Sequence, residues 1–270
     1  MNLDKNNPIG IFDSGAGGLT VAGAVKNILP QEKIIYFGDT AHLPYGDKSA
    51  DAIKQYSLKI TDFLLEKKCK IILIACNTAS AAAYETVKKH VGENAIVLNV
   101  IDPATKFIAN NNKYKKIGVI GTKGTISSDL YSTKIKKIDS QKQVISMATP
   151  LFVPMIEEGF IYDNISNAII KNYLSDERLQ NIDSLILACT HYPIIKNQIR
   201  KFFNFKTNIV DSSQVVAREL QRILAEKQLL NTNINPKHEF YVSDYTDFFS
   251  TLAEMFFDEE VNLIKADVTN

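Results

Sequence analysis

Residues Ile71–Tyr84 read IILIACNTASAAAY, and their reading decides the fold. Ile71–Ala75 is an unbroken apolar run, the pattern of a strand buried on both faces in a parallel sheet covered by helices. Cys76, Asn77 and Thr78 follow, and then an alanine-rich helical segment. Cys76 is therefore expected where a buried strand gives way to a helix, the edge at which open α/β sheets bind ligands. Helix N-terminal amides favour an anion, so a thiol there is expected to hold more thiolate near neutrality. The plain alternative is a buried structural cysteine, since unpaired Cys is among the most buried residue types.

A second stretch changes that balance. Ser184–Tyr192 reads SLILACTHY, so ILIACNT at Cys76 is matched by LILACTH at Cys189. Upstream of each lies another matching pair, IGIFDSGAG at Ile9–Gly17 and IGVIGTKGT at Ile117–Thr125. Ile9 to Cys76 is 67 positions and Ile117 to Cys189 is 72. Two similar units in the same order predict two related α/β halves, each with one cysteine at the carboxyl end of a strand. If the halves face each other, the thiols can flank one small ligand from opposite sides.

Working outward, strands alternate with helical spacing along the whole chain. This predicts two pseudo-symmetric, doubly wound α/β domains with mainly parallel sheets and an active site between them. The expected boundaries are 1–101 plus 212–270 for the first domain and 102–211 for the second. Within that plan Ala50–Lys68 has helical periodicity. Ile96–Ile101 reads as a strand, with Asp102-Pro103 as the crossing between halves. Gly121–Thr125 reads as a loop, Glu239–Ser243 as an edge strand and Asp247–Phe257 as a closing helix.

Composition excludes several classes. The 270 residues are 45% hydrophobic and 23% charged, with 31 basic against 30 acidic side chains. A net charge of +1 makes no electrostatic case for nucleic acid or an anionic membrane. No apolar run approaches the roughly 20 residues of a membrane span. The N-terminus has no signal-peptide core, and the three cysteines, Cys69, Cys76 and Cys189, form no CxxC pair or disulfide framework. A reduced, cytoplasmic setting is expected. Gly15-Ala16-Gly17 opens like a dinucleotide fingerprint, but Thr20 stands where the third glycine belongs, and Asp13-Ser14 put a charge and a hydroxyl where a pyrophosphate would approach. The better functional reading is that Asp13 and Ser14 meet a small polar substrate at a strand end. A purely structural tight turn is the alternative.

Taken in order, FDSGAGGLT, GDTAHLPYG, ACNTAS, FVPMIEEG and ACTHYP resemble a bacterial glutamate racemase of the cofactor-independent aspartate/glutamate racemase superfamily. The likeness runs from Ile9 to about Ser212. His42 departs from it, since many members carry arginine there. The resemblance implies interconversion of L- and D-glutamate by two cysteine bases, with no cofactor and no metal, to supply D-glutamate for peptidoglycan. It assigns Cys76 to the proton of D-glutamate and Cys189 to that of L-glutamate, with Asp13 assisting Cys76 and with Glu157 and His191 assisting Cys189. It places substrate contacts at Asp13, Ser14, Tyr45, Gly46, Asn77, Thr78, Thr190 and His191, with Thr122 a weaker addition. It also implies a homodimer.

The residue types suit that chemistry. An amino-acid α-carbon is a weak acid, so its inversion needs a good base on each face and exclusion of water. Hydroxyls, an amide and helix N-terminal N–H groups suit carboxylates. Structural readings stand beside these: Asp13 as a helix cap, His191 as a satisfied core histidine, Tyr45 as packing, and Glu157 interchangeable with its neighbour Glu158. Three other functions also fit parts of the sequence. An aspartate racemase shares the two-cysteine plan. A metal or redox protein would use Cys76, Cys189 and His191, against which their wide spacing counts. A non-catalytic protein that binds a small acid would tolerate loss of either cysteine. A pyridoxal phosphate racemase needs a lysine that neither strand-end motif offers.

Overall fold

The apolar strands assemble into two separate parallel sheets in the computed structural model, which describes residues 3–232, 236–257, 261–266 and 268. Two compact units divide the chain: residues 1–100 with 213–270, and residues 101–212. Residues 1–2, 233–235, 258–260, 267 and 269–270 of the expected first domain lie outside the described residues.

The first unit starts with β1 (Ile9–Asp13), α1 (Leu19–Ile28), β2 (Ile34–Gly38), α2 (Ala50–Glu66), β3 (Ile71–Ile74), α3 (Asn77–Val91) and β4 (Ile96–Asn99). β1, β2 and β3 are buried along their whole length, which is why their sequences run apolar without alternation. Ser49 caps α2 by accepting the N–H of Ala52, and Ile53, Ile60 and Leu64 form its buried stripe. The second unit contains α4 (Ile101–Ala109), β5 (Lys116–Gly121), α5 (Lys123–Ser127), α6 (Leu130–Ile138), β6 (Gln143–Ala148), α7 (Phe152–Glu157), α8 (Asn164–Leu174), β7 (Ser184–Ala188), α9 (Lys196–Phe202) and β8 (Asn208–Asp211). The chain returns to the first unit through α10 (Ser212–Glu226), then adds β9 (Glu239–Val242), α11 (Asp247–Phe257) and β10 (Leu263–Lys265).

The first sheet has the order β10-β9-β2-β1-β3-β4, and the second the order β6-β5-β7-β8. Every pairing among the described residues is parallel. The run β2-β1-β3-β4 therefore repeats as β6-β5-β7-β8, and in each the cysteine follows the third strand in chain order. This order puts a topological switch point between β1 and β3, and another between β5 and β7, where open α/β sheets bind ligands.

Three local readings need correction. Asp102-Pro103 is no bare crossing, because α4 begins at Ile101 and contains both residues. Proline is tolerated there since N–H groups of the first helical turn have no intrahelical acceptor, so its missing N–H costs no helix bond, and an aspartate near the N-terminus complements the helix dipole. The segment after Gly121 is a loop only to Thr122, whose side chain caps α5 by accepting the N–H of Thr125. β9 is not an edge strand but lies between β2 and β10, so α11 is not the closing element.

A buried ion pair fastens the returning chain to the first sheet. Lys70 and Glu32 are 0% and 1% exposed, with Nζ 2.7 Å from Oε2. Lys70 also donates to the carbonyls of Lys5 and Leu229, and Glu32 accepts the N–H of Asn231. Burial pulls the Lys70 pKa down, and its hydrogen bond to Glu32 opposes that. Removing one partner strands the other charge in the core. Lys70→Met is expected to cost about 3–5 kcal/mol in urea denaturation. Adding Glu32→Gln, which keeps an acceptor for Asn231, should recover part of that loss.

Candidate active site

Each unit carries a cysteine just past an apolar strand end, Cys76 two residues beyond β3 and Cys189 one beyond β7, and each has its own polar surroundings. In the first unit, β3 ends at Ile74 and Cys76 occupies the N-cap of α3. Its Sγ takes the place of a capping oxygen and accepts the N–H of Ala79 at 3.4 Å. A donated N–H and the helix N-terminus both favour charge on sulfur. The thiol is 6% exposed and lies 3.7 Å from Ser14 Oγ. Asn77 and Thr78 follow in the first turn of α3, both buried.

Asp13 ends β1, the strand beside β3, and is fully buried. Its Oδ2 accepts N–H groups from Gly15 at 3.3 Å and Gly18 at 2.9 Å, so the loop after β1 wraps around the carboxylate. Gly18 has to lack a side chain, because a Cβ there would sit 2.4 Å from Asp13 Cβ and 2.5 Å from Tyr36 Oη.

Tyr45 and Gly46 lie in a short 3₁₀ turn, the tyrosine buried and the glycine half-buried. The Tyr45 hydroxyl is committed to Asp39, donating to Oδ2 at 2.5 Å. Burial and then the Asp39 charge push the Tyr45 pKa far above the ordinary phenol value, so it stays a donor. Asp39 is the hub of this corner: it also accepts from His42 Nδ1 at 2.8 Å and from Ser243 Oγ at 2.9 Å, and its own N–H bonds to the carbonyl of Asp13. The His42 ring stacks on Tyr56, with centroids 4.0 Å apart.

In the second unit, β7 ends at Ala188, and Cys189 follows, also 6% exposed. His191 Nδ1 faces Cys189 Sγ at 3.9 Å, and Nε2 bonds Glu157 Oε1 at 3.0 Å. Of the two neighbouring glutamates it is Glu157, the one that the order of the family motif picks, that pairs with His191. Glu157 sits at the end of α7. That helix is held by Phe152, whose ring makes edge contacts with Tyr173 and Tyr192, while Tyr192 is pinned by its hydroxyl to Thr149. Thr190 is buried between Cys189 and His191 in sequence. Burial alone would drive the His191 pKa down, but the hydrogen bonds to Cys189 and Glu157 outweigh it and raise the value to about 10.

The first unit thus gathers Asp13, Ser14, Cys76, Asn77 and Thr78 at one sheet edge, with Tyr45 and Gly46 tied in through Asp39. The second gathers Glu157, Cys189, Thr190 and His191. Thr122 is engaged in capping α5. Sequence reasoning passed over Asp39 and Ser243. Asp39 carried a usable signal, since it follows β2 as Asp13 ends β1, whereas Ser243 comes from a strand distant in sequence and carried none. Among the described residues no three His, Cys, Asp or Glu side chains are grouped to hold a metal ion, and no helix is long and apolar enough to cross a membrane.

Comparison with known proteins yields consistent matches. The profile of the Asp/Glu/Hydantoin racemase family matches residues 20–220. A glutamate racemase of Geobacter metallireducens is 41% identical over 249 residues, 92% of each chain. One from Neisseria meningitidis serogroup C is 42% identical over 257 residues, 94% of each. The crystal structure of a glutamate racemase from Francisella tularensis in complex with D-glutamate superposes with a TM-score of 0.91 at 41% identity, covering 98% of this chain and 99% of that one.

The raised His191 pKa has a signed consequence. The folded value lies above the unfolded value of about 6.5, so the stability it contributes is full below about pH 6.5 and is lost as the pH rises toward 10. Thermal melts of the protein and of His191→Gln should therefore differ most near pH 6 and converge near pH 10. A difference that grew with pH would contradict the charged-histidine arrangement.

Proposed function

The chain belongs to the glutamate racemases of the Asp/Glu/Hydantoin racemase family, and from that membership we propose that it interconverts L- and D-glutamate by a cofactor-independent, two-base mechanism. As a member it is an amino-acid racemase, an isomerase. The observation that carries the mechanistic reading is the repeated one: a nearly buried thiol just past the third strand of each four-strand run, beside groups able to manage its charge.

In the D-to-L direction, the Cys76 thiolate takes the α-proton from D-glutamate. The electron pair left on carbon is then protonated on the opposite face by the Cys189 thiol. Cys76 ends as thiol and Cys189 as thiolate, the state from which the reverse reaction starts. Asp13 assists proton transfer at Cys76. His191, oriented by Glu157, assists proton transfer at Cys189. Ser14, Tyr45, Gly46, Asn77, Thr78 and Thr190 are proposed to hold the substrate's polar groups, using hydroxyls, an amide and the N-terminus of α3. The product D-glutamate would serve peptidoglycan synthesis in the cytoplasm, and the working form would be a homodimer.

Racemisation followed by chiral chromatography, with no pyridoxal phosphate or metal added, tests the activity. Turnover of aspartate but not glutamate would move the substrate assignment to the aspartate racemases. Serine is close to cysteine in shape but a far weaker acid, so Cys76→Ser and Cys189→Ser should each reduce racemisation by at least the roughly 10²–10⁴-fold typical of a lost general acid or base. With a substrate analogue bearing a β-leaving group, elimination should survive from the L form in Cys76→Ser and from the D form in Cys189→Ser. Near-normal racemisation by either variant would overturn the two-base reading. Swapped enantiomers would overturn only the assignment of faces. Cys69, buried beside Gly10 with its pKa pushed up to about 12 by burial, should be replaceable by serine with little change in turnover.

A further inference from the structure

Tyr36 is a fully buried tyrosine on β2, and its hydroxyl ends among the groups that surround Asp13. The hydroxyl donates to the carbonyl of Gly15 at 2.7 Å. Gly15 in turn donates its own N–H to Asp13 Oδ2, and the residue before it, Ser14, touches Cys76 Sγ. The Ser14–Gly15 segment therefore links the thiol to the Asp13 carboxylate, and Tyr36 holds it at the Gly15 carbonyl. Two glycines make room for this. A Cβ at Gly18 would lie 2.5 Å from Tyr36 Oη, and one at Gly38 would lie 2.6 Å from the Phe249 ring and 3.1 Å from the Gly15 carbonyl. Phe249 of α11 packs against the Tyr36 ring, with centroids 5.8 Å apart.

Burial first, then the Asp13 and Cys76 charges, push the Tyr36 pKa far above the ordinary phenol value, while the Gly18 N–H pulls the other way. The hydroxyl is thus a fixed donor with a single proton, and Gly15 receives it.

Resting on the racemase reading above, we propose that Tyr36 is a positioning residue for the Cys76 half of the reaction: its hydroxyl fixes Gly15 through that residue's carbonyl, and with it the Ser14–Gly15 segment whose N–H and hydroxyl meet Asp13 and Cys76. It acts through that segment and exchanges no proton with substrate.

Tyr36→Phe keeps the ring and removes only the donor. Loss of one such hydrogen bond is expected to lower kcat about tenfold in both directions, with KM changed less than about twofold. The decisive readout is the primary isotope effect with 2-deuterated substrate. The deuteron of D-glutamate is removed at Cys76, so its isotope effect should rise in Tyr36→Phe. That of L-glutamate, removed at Cys189, should stay level or fall. Phe249→Leu loosens the same packing but keeps the hydroxyl, and should leave the ratio of the two isotope effects at the wild-type value.

Unchanged kcat in Tyr36→Phe, or isotope effects that shift equally for both enantiomers, would overturn the proposal. A shifted ratio in Phe249→Leu equal to that in Tyr36→Phe would also overturn it, by assigning the effect to ring packing. Absence of glutamate turnover in the unaltered protein would sink the racemase reading and this inference with it, an outcome separable from a defect seen only in the variant.

Discussion

The constraint on which the structure depends is that a parallel strand buried on both faces can place chemistry only at its ends. β1, β2, β3 and β7 are buried along their whole length, so their interior side chains serve packing and only their carboxyl ends can meet a ligand. Polar groups must appear where the backbone leaves the sheet, and at the carboxyl edge the chain also meets helix N-termini. Asp13 ends β1, Asp39 follows β2, Cys76 follows β3 and Cys189 follows β7. A one-residue slip in register would turn each neighbouring side chain to the other face. The continuous pairing of Ile9–Phe12 with Ile71–Ile74 therefore keeps Asp13 and Cys76 on adjacent strand ends.

Repeated topology does not bring repeated chemistry. The same strand order, β2-β1-β3-β4 and β6-β5-β7-β8, presents Asp13 and Ser14 after the first strand of one unit but Gly121 and Thr122 after that of the other. The first unit sets its thiol against a hydroxyl and a helix N-terminus, with the Asp13 carboxylate on the adjacent strand end. The second uses a buried histidine backed by Glu157, which is 26% exposed. Burying Asp13 is tolerable because the backbone N–H groups of Gly15 and Gly18 replace water.

Much of this was legible in the sequence because the signals are local. An apolar run ending in Ala-Cys announces both the strand and the position of the thiol, and its recurrence announces the second sheet. The segments that escaped notice are those whose stability comes from tertiary contacts. α6 has a lysine-rich sequence and buries only Tyr131, Ser132 and Ile135, so its apolar stripe is too thin to read. β10 is three residues long and, among the described residues, pairs only with β9, which hid the interior position of β9 itself. The roles of Ser243 and Tyr36 depend on hydrogen bonds across 204 and 21 positions of chain, which no local pattern records.

The two helper sets also differ in the sign of the charge they bring to sulfur. At Cys189 the neighbour is a histidine whose pKa is raised by its bonds to the sulfur and to Glu157, so a positive charge is what it can bring. At Cys76 the influences oppose each other: the N-terminus of α3 favours thiolate, while the nearby Asp13 carboxylate disfavours a second negative charge. Under the proposed mechanism each sulfur must visit both protonation states in every turnover, so neither state can be stabilised too far. A fixed balance of opposing charges meets that need at Cys76 only while the carboxylate and the thiol keep their separation. That requirement gives a physical reason for the close packing around Gly18, where a single added methyl group would collide with Asp13 and with the Tyr36 hydroxyl together.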